Sequence, residues 1–137
     1  MVEYIENQGN VLGIIIRANY SNDGIKFFTP DNFSQQLAYM KHPKGKEIVP
    51  HIHNVVQRSV LYTQETLYIK KGKLLVDFYN NNKEYLESRI LEAGDVILLA
   101  SGGHGMECLE DTEMLEIKQG PYLEQDDKIR FEKRRDN

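Results

Sequence analysis

Apolar residues along this chain mostly alternate with polar ones over short runs, and no window sustains helical spacing for long. Runs rich in β-branched and aromatic residues predict strands over 11–17, 25–28, 36–41, 48–53, 63–70, 73–79, 85–91, 95–99, 105–109 and 114–119. Between them stand Pro43-Lys44-Gly45, Lys71-Gly72, Asn80-Asn81-Asn82 and Ala93-Gly94-Asp95, where glycine and asparagine accept left-handed backbone at low cost. Within 73–79, Leu74, Val76 and Phe78 share one face, and Lys73, Asp77 and Tyr79 share the other. Leu75 is the apolar exception, and one face of that sheet is expected to be buried. Thr29-Pro30-Asp31-Asn32-Phe33 fits the start of a short helix, with Thr29 as N-cap and Pro30 in the first turn. The pattern is all-β, and about ten short strands with frequent hairpins suit a sandwich or barrel, most commonly closed as a jelly roll.

Composition narrows the partners. The 137 residues, 40% hydrophobic and 28% charged, suit one domain over 1–137 and leave no room for a second of full size. Lys and Arg number 17 against 21 Asp and Glu, a net charge of -4 without the basic excess that phosphate backbones call for, so no nucleic acid is expected. Val11 to Ile16 and Val96 to Ala100, the longest apolar stretches, fall short of the roughly 20 residues that span a bilayer, so no membrane is expected either. The beginning, Met1 to Glu6, lacks the basic and apolar segments of a signal peptide, and lone Cys108 cannot close an internal disulfide. Both point to a reducing, cytoplasmic setting. In the charged segment 123–137, Ile129 and Phe131 alternate with polar residues, which fits an edge strand or a frayed end.

Histidine carries the chemistry. Pro50-His51-Ile52-His53-Asn54 lies in a strand-like run, where alternate side chains share a face and His51 and His53 would have Cα atoms about 6.6 Å apart. Two imidazoles at that spacing take adjacent positions on one metal ion; the alternative is a His-x-His on an exposed face. A third histidine, His104, lies in the glycine-rich turn Ser101-Gly102-Gly103-His104-Gly105. His42, beside Pro43, is expected in solvent. Glu65 opens the run Glu65-Thr66-Leu67-Tyr68-Ile69-Lys70-Lys71-Gly72, and alternation puts it on the face of Leu67 and Ile69, where a carboxylate needs a partner.

Gly45, five residues, His51-Ile52-His53, then Glu65, six residues and Gly72 resembles the first motif of the cupin superfamily; Gly94, Gly102 and His104 resemble the second. The likeness runs from Gln36 to Tyr122. It implies a single-domain, cupin-type jelly-roll β-barrel with a core over about 36–122, N-terminal strands within 11–28 and a charged C-terminal segment 123–137. It further implies that His51, His53, Glu65 and His104 bind one divalent transition metal, Fe, Mn, Co, Ni or Zn, whose chemistry suits imidazole and carboxylate. The sequence departs from the pattern in the eleven residues between His53 and Glu65, a long gap, and in Ala100, where a proline is usual.

Gly102-Gly103-His104-Gly105-Met106-Glu107 and Lys118-Gln119-Gly120-Pro121-Tyr122 are also similar to small bacterial cupins encoded among surface-polysaccharide and nucleotide-sugar genes. That likeness implies a small-molecule ligand, a sugar, nucleotide sugar or carboxylate, and by analogy a homodimer, for which Val11 to Ile16 is a candidate interface strand. Gln57, Arg58 and Tyr62 in the long gap are candidate substrate contacts, or else a solvated hairpin tip. Glu116 and Lys118 alternate with Leu115 and Ile117; parity does not say which pair faces inward, the favoured reading is an outward ion pair on an edge strand, and an inward Glu116 and Lys118 would be candidate acid and base. Tyr39 and Tyr68 read as packing residues, and Cys108 as a buried thiol or a neighbour of the site. The expected function is a metal-dependent enzyme of isomerase, epimerase or dioxygenase type. The alternatives are a non-catalytic, metal-dependent binder of sugars or other small ligands, and a metal-free nucleotide-sugar isomerase or epimerase.

Overall fold

The structure, a computed structural model, describes residues 1–123 and 128–135; expectations for 124–127 and 136–137 in the charged tail lie outside the described residues. Ten strands form in chain order: β1 (Val2–Asn7), β2 (Asn10–Ile16), β3 (Gly24–Phe27), β4 (Ala38–Lys41), β5 (Glu65–Lys71), β6 (Lys73–Tyr79), β7 (Tyr85–Glu92), β8 (Val96–Leu99), β9 (Gly103–Cys108) and β10 (Glu113–Lys118). The described residues are all-β and antiparallel, and contain no helix long and apolar enough to cross a membrane. The chain divides into two compact units, Met1–Tyr20 with Thr63–Asn137, and Ser21–Tyr62.

The first unit holds a five-stranded sheet in the order β1-β2-β8-β5-β10 and a three-stranded sheet in the order β7-β6-β9. Cross-strand partners share a face, so register assigns the sides. Gly13, Leu99, Glu65 and Lys118 form one inward row of the large sheet, and Ile15, Ile97, Leu67 and Glu116 the next. Against them the small sheet turns Leu74, Val76 and Phe78, and the core joins these to Ile5, Leu12, Ile15, Leu67, Ile69, Leu91, Ile97 and Leu99. The ring of Phe78 lies over Gly13, where a Cβ would come within 3.1 Å of it. Backbone freedom matters most at Gly72 (φ 97°), which joins β5 to β6 and where a Cβ would collide with the Asp111 carbonyl.

The far face of β6 is buried as well. Phe131 meets Tyr79 edge-on at 5.0 Å between ring centres, and Arg135 pairs with buried Asp77 at 2.9 Å. Residues 128–135 therefore lie along the sheet without being a strand, in place of the edge strand or frayed end that alternation suggested.

Asp95 shows how a predicted turn is locked. Its buried carboxylate accepts the backbone N–H of Ala18 at 2.8 Å and of Glu92 at 2.7 Å, and pairs with Arg17 at 3.0 Å. Arg17 in turn holds Glu3 at 2.7 Å and keeps its carboxyl below the usual range. Asp95→Ala removes an acceptor from two backbone donors and one guanidinium, and is expected to cost about 2 kcal/mol in chemical denaturation.

The second unit contains the β3–β4 hairpin, closed by Gln36 rather than by a helix. The Gln36 side chain accepts from Thr29 Oγ1 at 2.8 Å and donates to the carbonyls of Pro30 and Phe33 at 2.9 and 3.0 Å, which satisfies the loop without a helical turn. Other expectations also need correction. The run 48–53 is not a strand: Pro50 has no N–H to give a ladder, and residues 46–62 are irregular and exposed. A strand not predicted, Val2–Asn7, pairs with β2 through a turn in which Gln8 and Gly9 both take positive φ. Tyr68 faces outward and is half-exposed rather than packed. Cys108 is exposed, since β9 ends its sheet's strand order.

Candidate functional site

Glu65 begins β5 and faces inward because Leu67 and Ile69 must, as alternation required. His104 lies on β9 opposite Phe78, whose ring is in the core, so register aims the imidazole at the same interior from the other sheet. Gly102 (φ 71°) makes the turn into that strand possible, since a Cβ there would stand 2.6 Å from the Tyr79 carbonyl oxygen. The two side chains meet between the sheets: His104 Nε2 is 2.9 Å from Glu65 Oε1.

Register settles the parity of β10. Lys118 lies opposite Glu65 and Glu116 opposite Leu67, so the charged pair faces inward while Leu115 and Ile117 point out. Glu116 hydrogen-bonds Glu65, which fixes the protons of the pair. The His104 hydrogen bond, assisted by those from Glu116 and by the charge of Lys118, overcomes burial and holds Glu65 down to about 2. The hydrogen bond and negative charge of Glu65, together with burial, push the Glu116 carboxyl up. Of the two carboxyls, Glu116 is thus the one that binds a proton more readily.

These directions predict a pH dependence for the metal-free protein. The lowered Glu65 contributes stability that is present above its ordinary value of 4.5 and is lost as pH falls from there toward about 2. The raised Glu116 has the opposite sign: its contribution is present in acid and is lost as pH rises through its folded value. Glu116→Gln is therefore expected to match the parent near about pH 4 and to melt at higher temperature near neutrality. Thermal melts in chelator at the two pH values check this.

Gln119 is a further residue that the sequence placed only within a family-like ending. Its side-chain oxygen accepts the backbone N–H of buried Gln64 at 2.6 Å, tying the residue before Glu65 to the one after Lys118. The local signal was its place directly after a candidate base. Lys118 also lies over the Tyr122 ring at 5.4 Å.

His51 and His53 belong to the second unit, as do Gln57, Arg58 and Tyr62, all exposed within 46–62. The expected strand is absent, yet the two rings meet edge to face, 5.2 Å between centres. His51 Nδ1 is 2.8 Å from the Val49 carbonyl oxygen, which only accepts, so Nδ1 donates the hydrogen of this contact. A backbone carbonyl behind an imidazole is the support that metal-bound histidines use. His42 is exposed in its turn, as expected.

The four residues expected as ligands are thus divided two and two between the units, and each pair is brought together within its own. Among the described residues, no group of three or more His, Cys, Asp or Glu is arranged to hold a metal. The donor types nevertheless fit a divalent transition ion: an imidazole and a low-pKa carboxylate in one pair, two imidazoles in the other. Comparison with protein-family models, with curated proteins and with solved structures returns no match.

Proposed function

We propose that this chain is a metal-binding cupin whose strands close as a jelly-roll barrel, and that it is a metal-dependent enzyme acting on a small sugar-like or carboxylate substrate. The observation that carries this reading is the inward meeting of His104 and Glu65 at 2.9 Å, from opposite sheets. His104 and Glu65 are ligands in this account. A divalent ion held by them would polarise a carbonyl or enediol oxygen or acidify a bound water.

The chain's own residues supply the proton chemistry. Glu116, whose contact with Glu65 pushes its carboxyl up, would offer a proton at the interior edge of β10. Lys118 beside it places a positive charge where an enolate or carboxylate oxygen would be held. Isomerisation and epimerisation at a carbon next to a carbonyl need a base to take the α-proton, an acid to return it and a cation to hold the enolate; Glu116 and Lys118 would supply the acid and the cation.

A metal-free acid–base enzyme is the second reading, favoured by the same contact, since a carboxylate hydrogen-bonded to imidazole Nε2 also orients a general base. Metal content and turnover of candidate nucleotide sugars, measured before and after chelation, separate the two. Thermal stabilisation by those sugars without turnover would instead mark a non-catalytic binder.

A further inference from the structure

The outer face of the three-stranded sheet, opposite the one that carries Phe78 and His104, holds a slot. Gly103 and Gly105 stand across from Tyr79 and Asp77 on that face, so β9 offers no side chain there. Tyr79 and Tyr85 form an aromatic wall, their rings edge-on at 6.0 Å between centres, and Glu107 stands across from Leu75 further along β9. On the floor lies Asp77, 2% exposed. Its carboxylate accepts the Ser88 hydroxyl, and Ser88 Oγ is 2.7 Å from Tyr85 Oη.

Residues 128–135 fill this slot as a ligand would. Phe131 sets its ring against Tyr79 and over Gly103, where a Cβ would come within 3.2 Å of it. Four residues on, the Arg135 guanidinium bridges two carboxylates: Nε donates to both oxygens of Asp77 at 2.9 and 3.2 Å, and a terminal nitrogen donates to Glu107 at 3.0 Å. Between them the Arg134 N–H donates to Tyr79 Oη at 3.3 Å, and Lys133 reaches Glu107 at 2.8 Å. Yet the segment adds no strand to the sheet, and of residues 128–135 all but Phe131 are exposed. A segment integral to a sheet is held through its backbone ladder. This one is held chiefly by an aromatic ring and a guanidinium, the groups that dominate interface energies. Five of its eight residues are basic against one glutamate, complementary to Asp77 and Glu107.

We infer that this slot is a recognition site for a basic segment of a partner protein in which an aromatic residue is followed four positions later by arginine, and that residues 128–135 occupy it in cis as a competing ligand. A buried carboxylate left without its cation is costly, so whatever displaces Arg135 must bring a cation to Asp77. Bridging Asp77 and Glu107 from one head group calls for the planar fork of a guanidinium rather than the point charge of an ammonium. The glycine floor and tyrosine wall select a flat ring beside it. The site is independent of the metal reading, since Gly103 and Gly105 face the slot while His104 between them faces the core.

Binding of a synthetic peptide tests the slot. The full chain carrying Phe131→Ala and Arg135→Ala is expected to keep its far-ultraviolet spectrum and to bind a fluorescent peptide with the sequence of residues 128–135, read by anisotropy. Unaltered protein is expected to bind that peptide at least about tenfold more weakly, because its tethered tail competes at an effective concentration on the order of millimolar. Placing Phe131→Ala or Arg135→Lys in the peptide is expected to weaken its binding to the double variant by about tenfold or more. A peptide of the same composition in shuffled order is expected not to bind. The chain has no tryptophan, so Phe131→Trp in otherwise unaltered protein reports docking directly. Its emission is expected to lie at shorter wavelength than in the free peptide with the same change, and to move toward that value as unlabelled peptide is added at about millimolar concentration. A double variant that unfolds makes the tail part of the fold and overturns the proposal. Equal binding of the shuffled peptide, no binding of the ordered one, or an emission that the ordered peptide does not move also overturns it.

Discussion

Glu65→Ala is expected to lower the affinity for a divalent transition metal by at least about a hundredfold, beyond what loss of a merely supporting group costs. Glu65 is the one anionic ligand in the proposed set, and its carboxyl is held at about 2, so at neutral pH it needs to lose no proton before binding. Its backbone is paired with Leu99 on β8 and Lys118 on β10, which fixes the carboxylate before any ion arrives. Glu65→Gln keeps the shape and a hydrogen-bond acceptor but removes the charge, and is expected to fall between the parent and the alanine variant. Titration with Co2+ followed by visible absorption measures all three. Equal affinity in Glu65→Ala and parent would remove Glu65 from the ligand set.

Phe78→Ala is expected to destabilise the first unit by about 3–5 kcal/mol in chemical denaturation, the range for deleting a buried aromatic ring. Phe78 is fully buried, lies over Gly13 across the two sheets and stands directly opposite His104 in the β6–β9 ladder. Its loss opens a cavity that Gly13, with no side chain, cannot fill. The cross-strand neighbour of His104 is lost at the same time, so the Co2+ absorption of any folded fraction is expected to change as well. Phe78→Leu, which refills most of the volume, is expected to recover more than half of the stability.

The parts of the fold legible in the sequence are those fixed by local chemistry. Glycine at positions 72 and 94 marks turns because each takes positive φ, and Leu74, Val76 and Phe78 mark an inner face because a strand alternates. Val2–Asn7 was missed because Glu3 and Glu6 interrupt its apolar pattern, and its place is set by pairing with β2. The run 48–53 misled because isoleucine and valine favour strands, whereas Pro50 breaks the ladder and no strand pairs with it among the described residues. Val11 to Ile16, expected at a dimer interface, is instead hydrogen-bonded on both sides, by β1 and β8, with Leu12 to Ile16 buried.

The site was legible in the same uneven way. Glu65 was placed by alternation alone, and its meeting with His104 is the observation that agrees with the family-like spacing. Glu116 and Lys118 were not decidable on β10, because Leu115 and Ile117 made the apolar pair look like the inner one. Only the register with β5, a contact between residues far apart in sequence, turns the charged pair inward.

Metal stoichiometry tests the central claim most directly. Protein stripped with chelator, reloaded in turn with Mn2+, Fe2+, Co2+, Ni2+ and Zn2+, and freed of excess ion is expected to retain about one equivalent per chain of at least one of them by elemental analysis. Retention of none of the five ions would contradict it.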